Sequence, residues 1–444
     1  MKIHRRVGRR EFLGTAGALL SAPCVIPSGV LAAPGKPGAN DRITLGHIGV
    51  GGMGSGHLMR GLSFWELGST NVAAVCDADE KRLAAAVKRC SDKGVRVEPY
   101  ADYRYILQRK DIDAVIIATP DHWHGVQTVH ACLTGKHVYV EKPSSVTIEE
   151  GLAMIDAART NNRMVQVGAQ GRSGMPAYYT CRAIRNGIIG KVTKVDCWHY
   201  ANPIDQSPVA DCAPPPDLNW DMWLGPLPWR PYNPRYCPGT FRWLLESGGG
   251  QIRDRGAHQF SSILWCLDAD GPLSFTVEAT GTAPIKGLWD CPPDMDVTYE
   301  FKDPDWTLIW SQPGRKAGKT EFGQVFYGEQ GSLLLEWEGA RKWAEPEAIG
   351  FTVPPGGFEP YTPNLFKDFG MNHMGEWLKS ITTSERLPNV DIEIAHRTST
   401  LCILGNLAYM LGRKLKWDGV RQQIIGDEHA NRLLGKPQRH PYHL

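Results

Sequence analysis

Ile43-Thr44-Leu45-Gly46-His47-Ile48-Gly49-Val50-Gly51-Gly52-Met53-Gly54 is the stretch whose reading decides the fold. Its first half has the length and apolar character of a buried strand, and a glycine-rich turn follows without a spacer. Gly49, Gly51 and Gly54 keep the G-x-G-x-x-G spacing, which carries weight only between a strand and a helix. Gly49 permits the tight turn, Gly51 lets a pyrophosphate approach the backbone, and Gly54 lets the helix pack on the strand. The helix N-terminus then stabilises the negative charge. Gly52 and Met53, in the same turn, are expected to touch the same ligand. The stretch predicts a Rossmann domain for a dinucleotide.

The pattern that follows is consistent with this. Asn71 to Cys76, Ala114 to Ala118 and His137 to Val140 are short apolar runs, each followed by a segment of helical period, which is how βαβ units and a parallel sheet read. Thr147 to Thr160 reads as a helix with Thr147 as its N-cap, and Arg163 to Val167 as a further strand. Asp77 ends the second strand, where a carboxylate accepts hydrogen bonds from adenosine ribose hydroxyls and repels a 2′-phosphate, so NAD is favoured. It lies later than the usual spacing of about 20 residues because the first helix and its loop are long. Lys81 and Arg82 follow closely and leave NADP open.

After about residue 170 the texture changes. A Pro-rich loop (Asn202 to Gly239) and a helix (about Ala257 to Leu267) precede alternating runs at Ser274 to Thr280, Val297 to Phe301, Thr307 to Trp310 and Gln324 to Tyr327. That spacing predicts an antiparallel sheet buried on one face. Two amphipathic segments, Asn372 to Thr382 and Ile392 to Leu411, close the chain before a polar, basic tail. The expected class is α/β: a Rossmann domain over 42–168, an α/β domain with an open, mainly antiparallel sheet over 169–417, and a tail over 418–444.

The 444 residues exceed what one core usually organises, in keeping with two domains. With 49 basic and 47 acidic side chains, the chain has no electrostatic footprint for a polyanion, so no nucleic-acid partner is expected. Tryptophan is unusually abundant, at 15, which points to a large core or to sugar-stacking surfaces. At the N-terminus, Arg9-Arg10-Glu11-Phe12-Leu13-Gly14 precedes a short apolar run and Val30-Leu31-Ala32. A paired arginine followed by Phe-Leu resembles the twin-arginine export signal. The run is too short and too rich in Gly, Pro and Ser to span a bilayer well. Residues 1–32 are therefore expected to be a signal read by the twin-arginine machinery, 33–41 a Pro/Gly linker, and the mature protein periplasmic or otherwise extracytoplasmic. The cysteines show no CxxC pairing, and His122, His124 and His199 lack metal-ligand spacing, so no metal is expected.

Two further segments carry chemistry. Ala118-Thr119-Pro120-Asp121-His122-Trp123-His124 ends the third predicted strand, and Glu141-Lys142-Pro143 the fourth. In an open parallel sheet the carboxyl ends of strands face the ligand crevice, which places Thr119, Pro120, His124, Glu141 and Lys142 beside a cofactor. A lysine there can hydrogen-bond a hydroxyl and ease its proton loss during hydride transfer. Read alone, Glu-Lys-Pro is a common tripeptide.

The order of glycine loop, Ala-Thr-Pro with a downstream His, Glu-Lys-Pro, and then Asp254-Arg255-Gly256-Ala257-His258 resembles the Gfo/Idh/MocA oxidoreductase family, from about residue 42 to Trp417. The resemblance implies an oxidoreductase acting on a sugar, glycoside or polyol hydroxyl. Lys142 would be catalytic, and Asp254 and His258 would lie at i and i+4 on one helix face. His258 would take the hydroxyl proton while Asp254 orients the substrate or tunes the imidazole. Read without the resemblance, Asp254 would be an N-cap and His258 an interior histidine. Many relatives carry a further Asp where this chain has Ser261, so their substrates do not transfer. Gln170 and Arg172 fall in the loop where the family touches nicotinamide or substrate. Trp223, Arg230 and Arg242 lie in the aromatic loop suited to sugar faces and hydroxyls or carboxylates. Export implies a tightly held, recycled cofactor, serving either ping-pong sugar oxidoreduction or redox-neutral glycoside cleavage through a 3-keto sugar. A non-catalytic sugar-binding protein on the same fold is the alternative from another class. Relatives often form homo-oligomers through the open sheet.

Overall fold

The computed structural model describes Gly38 and residues 42–314, 321–338, 342–343, 347–349 and 369–444. The expected export signal lies outside the described residues, as does the linker apart from Gly38. No helix among the described residues is long and apolar enough to cross a membrane.

The first unit is a parallel sheet of β1 (Ile43–Ile48), β2 (Thr70–Cys76), β3 (Glu98–Tyr100), β4 (Ala114–Ile117), β5 (His137–Val140) and β6 (Val165–Val167), in the order β3-β2-β1-β4-β5-β6. Helices α1 (Gly52–Glu66), α2 (Glu80–Asp92), α3 (Tyr103–Gln108), α4 (Asp121–Leu133) and α5 (Ile148–Thr160) connect the strands. All four residues of β4 are buried, as expected where helices cover both faces. Thr147 caps α5 by accepting from the Glu150 N–H at 3.1 Å. The short β3 is absent from the sequence reading because Glu98-Pro99-Tyr100 is a half-exposed edge strand with a proline and no apolar run. Strand order reverses between β1 and β4, so their carboxyl ends open a crevice. Gly49 stands at one lip and Ala118-Thr119-Pro120 at the other.

The second unit begins with α6 (Met175–Arg185) and β7 (Val192–Trp198), followed by α7 (Trp220–Leu224), α8 (Gly250–Asp254) and α9 (Gly256–Cys266). Its sheet continues through β8 (Phe275–Gly281), β9 (Met295–Lys302), β10 (Asp305–Gln312), β11 (Gly323–Gly328), β12 (Gly331–Glu338), β13 (Lys342–Trp343) and β14 (Glu347–Ile349). Helices α10 (Phe369–Thr383) and α11 (Ile392–Leu411) precede β15 (Leu415–Asp418), β16 (Gln423–Ile424) and α12 (Glu428–Asn431). The described pairings are antiparallel except β7 with β10, which agrees with the expected mixed, mainly antiparallel sheet. Along β9, buried Val297, Tyr299 and Phe301 alternate with more exposed neighbours. These face a core shared with Phe260, Ile263 and Leu264 of α9 and Leu401 and Leu404 of α11. Trp198, Trp310, Trp377 and Trp417 are among the largest fully buried side chains, so much of the tryptophan excess is core.

Two long excursions bring the units together. The connection from β7 to α8 crosses to the Rossmann unit, where Asn219 N–H donates to the Ala78 carbonyl (2.9 Å) and Glu80 N–H to that of Asp217 (2.9 Å). Trp123 of α4 donates its indole N–H to the Met222 carbonyl at 3.0 Å. The segment after Trp417, read as a polar tail, is built into the fold. Tyr442 packs edge-on against Trp123 with ring centroids 5.3 Å apart, and its hydroxyl donates to Asp221.

Candidate active site

The glycine turn is shaped by sterics. Gly49 has φ of +79°, and a Cβ there would lie 2.8 Å from the Ala118 carbonyl carbon and the Thr119 nitrogen. A Cβ on Gly54 would lie 1.8 Å from the Gly49 oxygen, so helix and turn meet only because no side chain intervenes. Asp77 fastens the turn, accepting from the Val50 N–H at 2.9 Å and the Asp79 N–H at 3.0 Å. Burial pushes its carboxyl pKa up, against these two bonds. Together they border a cavity of about 330 Å³ running from Gly51, Gly52, Met53 and Asp77 past Thr119, Pro120 and His124 to Glu141 and Lys142. The bare backbone, the start of α1 and the carboxylate at the end of β2 fit a dinucleotide.

At its far end the cavity reaches Lys142. The ammonium donates to Asp254 Oδ1 at 2.6 Å and to the Asp254 carbonyl at 2.9 Å, joining two residues 112 positions apart. Asp254 also meets Arg242 (Nε to Oδ1, 3.4 Å) and Arg255 (Nε to Oδ2, 3.1 Å). Burial works to raise its pKa, and these three cations outweigh that and hold it well below the usual carboxylate range. Asp254 and His258 do not share one continuous helix. Asp254 ends α8, the backbone breaks at Arg255, and His258 stands in the first turn of α9. Asp254 is not the cap of α9 either; that position is Arg255, with no side-chain cap bond. His258 keeps a partly exposed edge, yet burial, then the charge of Lys142, pushes its pKa down to about 3, so it is neutral near pH 7. A neutral imidazole can accept a proton.

Behind Lys142 stands a buried relay of polar groups. Glu141 pairs with His57 of α1 at 2.6 Å and accepts from the Gln170 amide at 2.7 Å, and Gln170 also reaches the Tyr139 hydroxyl at 3.0 Å. Burial raises the Glu141 carboxyl, but His57, Lys142 and His258 outweigh it and bring its pKa down to about 2. His124 spans the two motif loops, its ring nitrogens facing the Pro143 carbonyl at 2.7 Å and the Thr119 carbonyl at 2.9 Å.

Several expected residues take other places. Gln170 lies behind Glu141 and does not border the cavity. Arg172 is buried away from the crevice in a two-pronged pair with Asp270 (2.9 and 2.6 Å) and over the Trp265 ring. Arg230 pairs with Glu246 and the Tyr236 hydroxyl, also off the cavity. Trp223 borders the cavity, but it is buried, with one face stacked on Trp220 at 5.0 Å and with His122 and Phe241 packed against it. Arg242 borders the cavity beside Lys142 as expected. Three residues at the site lacked a distinct sequence signal. His57 reads as one more helical residue, Phe241 as loop apolar content, and Asp121 as an ordinary helix start. Asp121 is buried on the cavity wall, one oxygen lacks a partner among the described residues, and burial raises its pKa.

A parallel-sheet crevice with a glycine cradle, a ribose-level carboxylate and a lysine beside a neutral histidine defines an NAD-binding oxidoreductase. A family model described as oxidoreductase family, NAD-binding Rossmann fold, matches residues 43–169, and its C-terminal alpha/beta domain matches 186–303 and 368–444. The chain belongs to the Gfo/Idh/MocA oxidoreductase family. A protein named as glycosyl hydrolase family 109 from Shewanella pealeana is 30% identical over 208 residues, 42% of this chain and 44% of that protein. The chain thus spans less than half the length of the curated relatives it matches first. Among solved structures, the WlbA dehydrogenase of Bordetella pertussis, in complex with NADH and UDP-GlcNAcA, superposes with a TM-score of 0.63 at 17% identity, over 84% of this chain and 98% of that one. Levoglucosan dehydrogenase in complex with NADH and levoglucosan gives 0.60 at 18% identity, over 84% and 99%. At such identities the likeness is one of fold.

Proposed function

We propose that this chain oxidises a hydroxyl of a sugar, glycoside or polyol while holding its NAD tightly. The carrying observation is the placement of Lys142, locked on Asp254 at 2.6 Å, at the end of the cavity opposite the glycine cradle, with neutral His258 one turn beyond. NAD, when bound, supplies the acceptor for the hydride leaving the carbinol carbon. Lys142 donates a hydrogen bond to the reacting hydroxyl oxygen and stabilises the charge it gains as its proton leaves. His258 takes that proton on its free ring nitrogen. Asp254 is a positioning residue that fixes the Lys142 ammonium, and Glu141 and His57 fix the backbone from which Lys142 projects.

Retention of the cofactor rests on the strap from the second unit. Met222, Trp223, Phe241 and Arg242 border the cavity, and the strap is pinned to the turn after β2 by the Asn219 and Asp217 backbone bonds. Such a cover suits an exported enzyme that arrives with its cofactor and cannot exchange it, which also fits the twin-arginine pattern. A redox-neutral outcome is the second reading, favoured by the name glycosyl hydrolase family 109 carried by the matched relatives. There, oxidation at C3 acidifies the C2 proton, and the aglycone leaves with its bonding electrons. Water then adds and the ketone is reduced again, so glycoside and water give sugar and alcohol.

The deciding experiment purifies the protein without added cofactor and combines mass analysis of the denatured extract with absorbance at 340 nm during sugar addition. Near-stoichiometric NAD and a sugar-dependent rise are expected for oxidation, and release of aglycone without a lasting rise for the redox-neutral cycle. Loss of NAD on simple desalting, with NAD consumed at each turnover, refutes the closed cycle. No NAD bound under any condition refutes the whole reading.

A further inference from the structure

The polar groups around Lys142 are unequal in access. Four cations (Lys142, Arg242, Arg253 and Arg255) meet the carboxylates Asp121, Glu141 and Asp254 there, and the buried carboxylate of Glu150 answers Arg253. The carboxylates all lie behind the surface, with the Asp254, Asp121 and Glu141 side chains or residues no more than 9% exposed. The guanidiniums of Arg242 and Arg255 instead reach outward, with side chains 36% and 47% exposed. Each turns its Nε toward Asp254, Arg242 in a hydrogen bond and Arg255 in an ion pair, and Arg242 donates one terminal nitrogen to the Gly239 carbonyl. Its other terminal nitrogen and both of those on Arg255 make no hydrogen bond to a described residue. His258 and His199, the neighbouring imidazoles, are held neutral by burial and add no charge.

A dinucleotide does not answer these outward donors, because its pyrophosphate belongs at the glycine cradle and the start of α1, the other end of the cavity. Whatever approaches Lys142 from the open side meets two guanidinium forks with donors to spare, and a guanidinium fork matches a carboxylate in two parallel hydrogen bonds. We infer that the substrate is an anionic sugar, a uronic acid or its glycoside, whose carboxylate is received by Arg255 and Arg242 while a ring hydroxyl lies on Lys142. This rests on the proposed oxidation of a carbohydrate hydroxyl and narrows its substrate class. Asp254 then has two tasks. It fixes Lys142, and it anchors both guanidiniums, by a hydrogen bond from Arg242 Nε and an ion pair with Arg255.

The test uses the full chain with its bound NAD and matched sets of sugars, such as glucose, glucuronate and glucose 6-phosphate and their methyl glycosides. Initial rates are followed at 340 nm and binding separately by calorimetry. The uronate is expected to exceed the neutral sugar in kcat/KM about tenfold or more, the worth of one charge-assisted contact, through a lower KM that rises with salt. Arg255→Gln should erase that preference by raising KM for the uronate, and Arg255→Lys should restore part of it. Neutral sugars performing as well as uronates overturn the inference and leave the oxidoreductase reading intact. A preference for the phosphate over the uronate overturns the carboxylate assignment. Tight uronate binding without hydride transfer keeps the inference and removes the reading on which it was built. If Arg255→Gln sheds NAD while uronate selectivity is unchanged, the arginine serves the cofactor and the inference fails.

Discussion

Removing the charge at Asp254 tests whether one carboxylate organises the site. In Asp254→Asn the amide cannot neutralise Lys142, Arg242 and Arg255, which are left converging on one buried point. Both members of the Lys142 pair are at most 10% exposed, so solvent screens little of the loss. Breaking a buried pair from one side costs about 3–5 kcal/mol. At roughly 2–4 °C per kcal/mol for a domain of this size, the low end of that range lowers Tm by roughly 6–12 °C. Lys142→Met should be milder, about 1–2 kcal/mol, because Asp254 keeps two arginine partners. The double variant should therefore be more stable than the two single losses added together, by about 1 kcal/mol or more. The assay is calorimetric or denaturant unfolding of all four proteins with NAD content held equal, since bound cofactor alone shifts Tm. If the two changes add to within about 0.5 kcal/mol, or Asp254→Asn is no less stable than Lys142→Met, the carboxylate is not the organising charge.

Further expectations are independent of that cycle. Gly54→Ala puts a methyl group 1.8 Å from the Gly49 oxygen, so NAD should be lost from the purified protein and Tm should fall; retained NAD argues against the cradle. Glu141, lowered from 4.5 to about 2, contributes stability above pH 4.5 that is lost as the pH falls toward 2, about 3 kcal/mol in all. Glu141→Gln should flatten the stability slope across that window by up to one proton, and an unchanged slope in acid titration shows that Glu141 carries no such linkage. His258, lowered from 6.5 to about 3, stays neutral through the physiological range. The stability it contributes is present above pH 6.5 and lost as the pH falls toward 3, and kcat should show no acid limb near 6.5. A limb at that pH, absent from His258→Gln, contradicts the assignment.

What the sequence disclosed follows the range of the forces involved. The glycine turn was legible because positive φ and close approach act within a few residues. The same holds for Thr147, whose capping partner lies three positions on. Lys142 was legible through its motif, but its partner lies 112 positions away, and nothing local tells a buried lysine from a solvated one. The break at Arg255 was not legible, since Asp254 to His258 suits a continuous helix and the turn is imposed by contacts on both sides. Arg172 and Arg230 were misplaced for the same reason. An arginine in a loop near a motif reads as a ligand, and only tertiary structure brings Asp270 and Glu246 to take up its charge. His57 had the opposite fate, since its role comes from Glu141, 84 positions away.

The strap joins these observations to the proposed retention of the cofactor. A crevice at the switch point of an open sheet is accessible from the side, and a dinucleotide lying there could leave without disturbing the fold. Here Met222, Trp223 and Phe241 line that side, and the strap that carries them is fastened by backbone bonds at Ala78 and Glu80 and by the Trp123 indole. A side chain at Gly225 would overlap the Trp123 ring at 2.3 Å, so strap and helix are in direct contact there. Tyr442 packs edge-on against the same ring and bonds Asp221 of the strap. Opening the crevice therefore means separating the strap from Trp123 and from the C-terminal segment together, not swinging out a free loop. The rate of NAD loss should accordingly follow the stability of this cluster, and Tyr442→Ala, at a residue that does not itself border the cavity, should hasten it without altering the chemistry at Lys142.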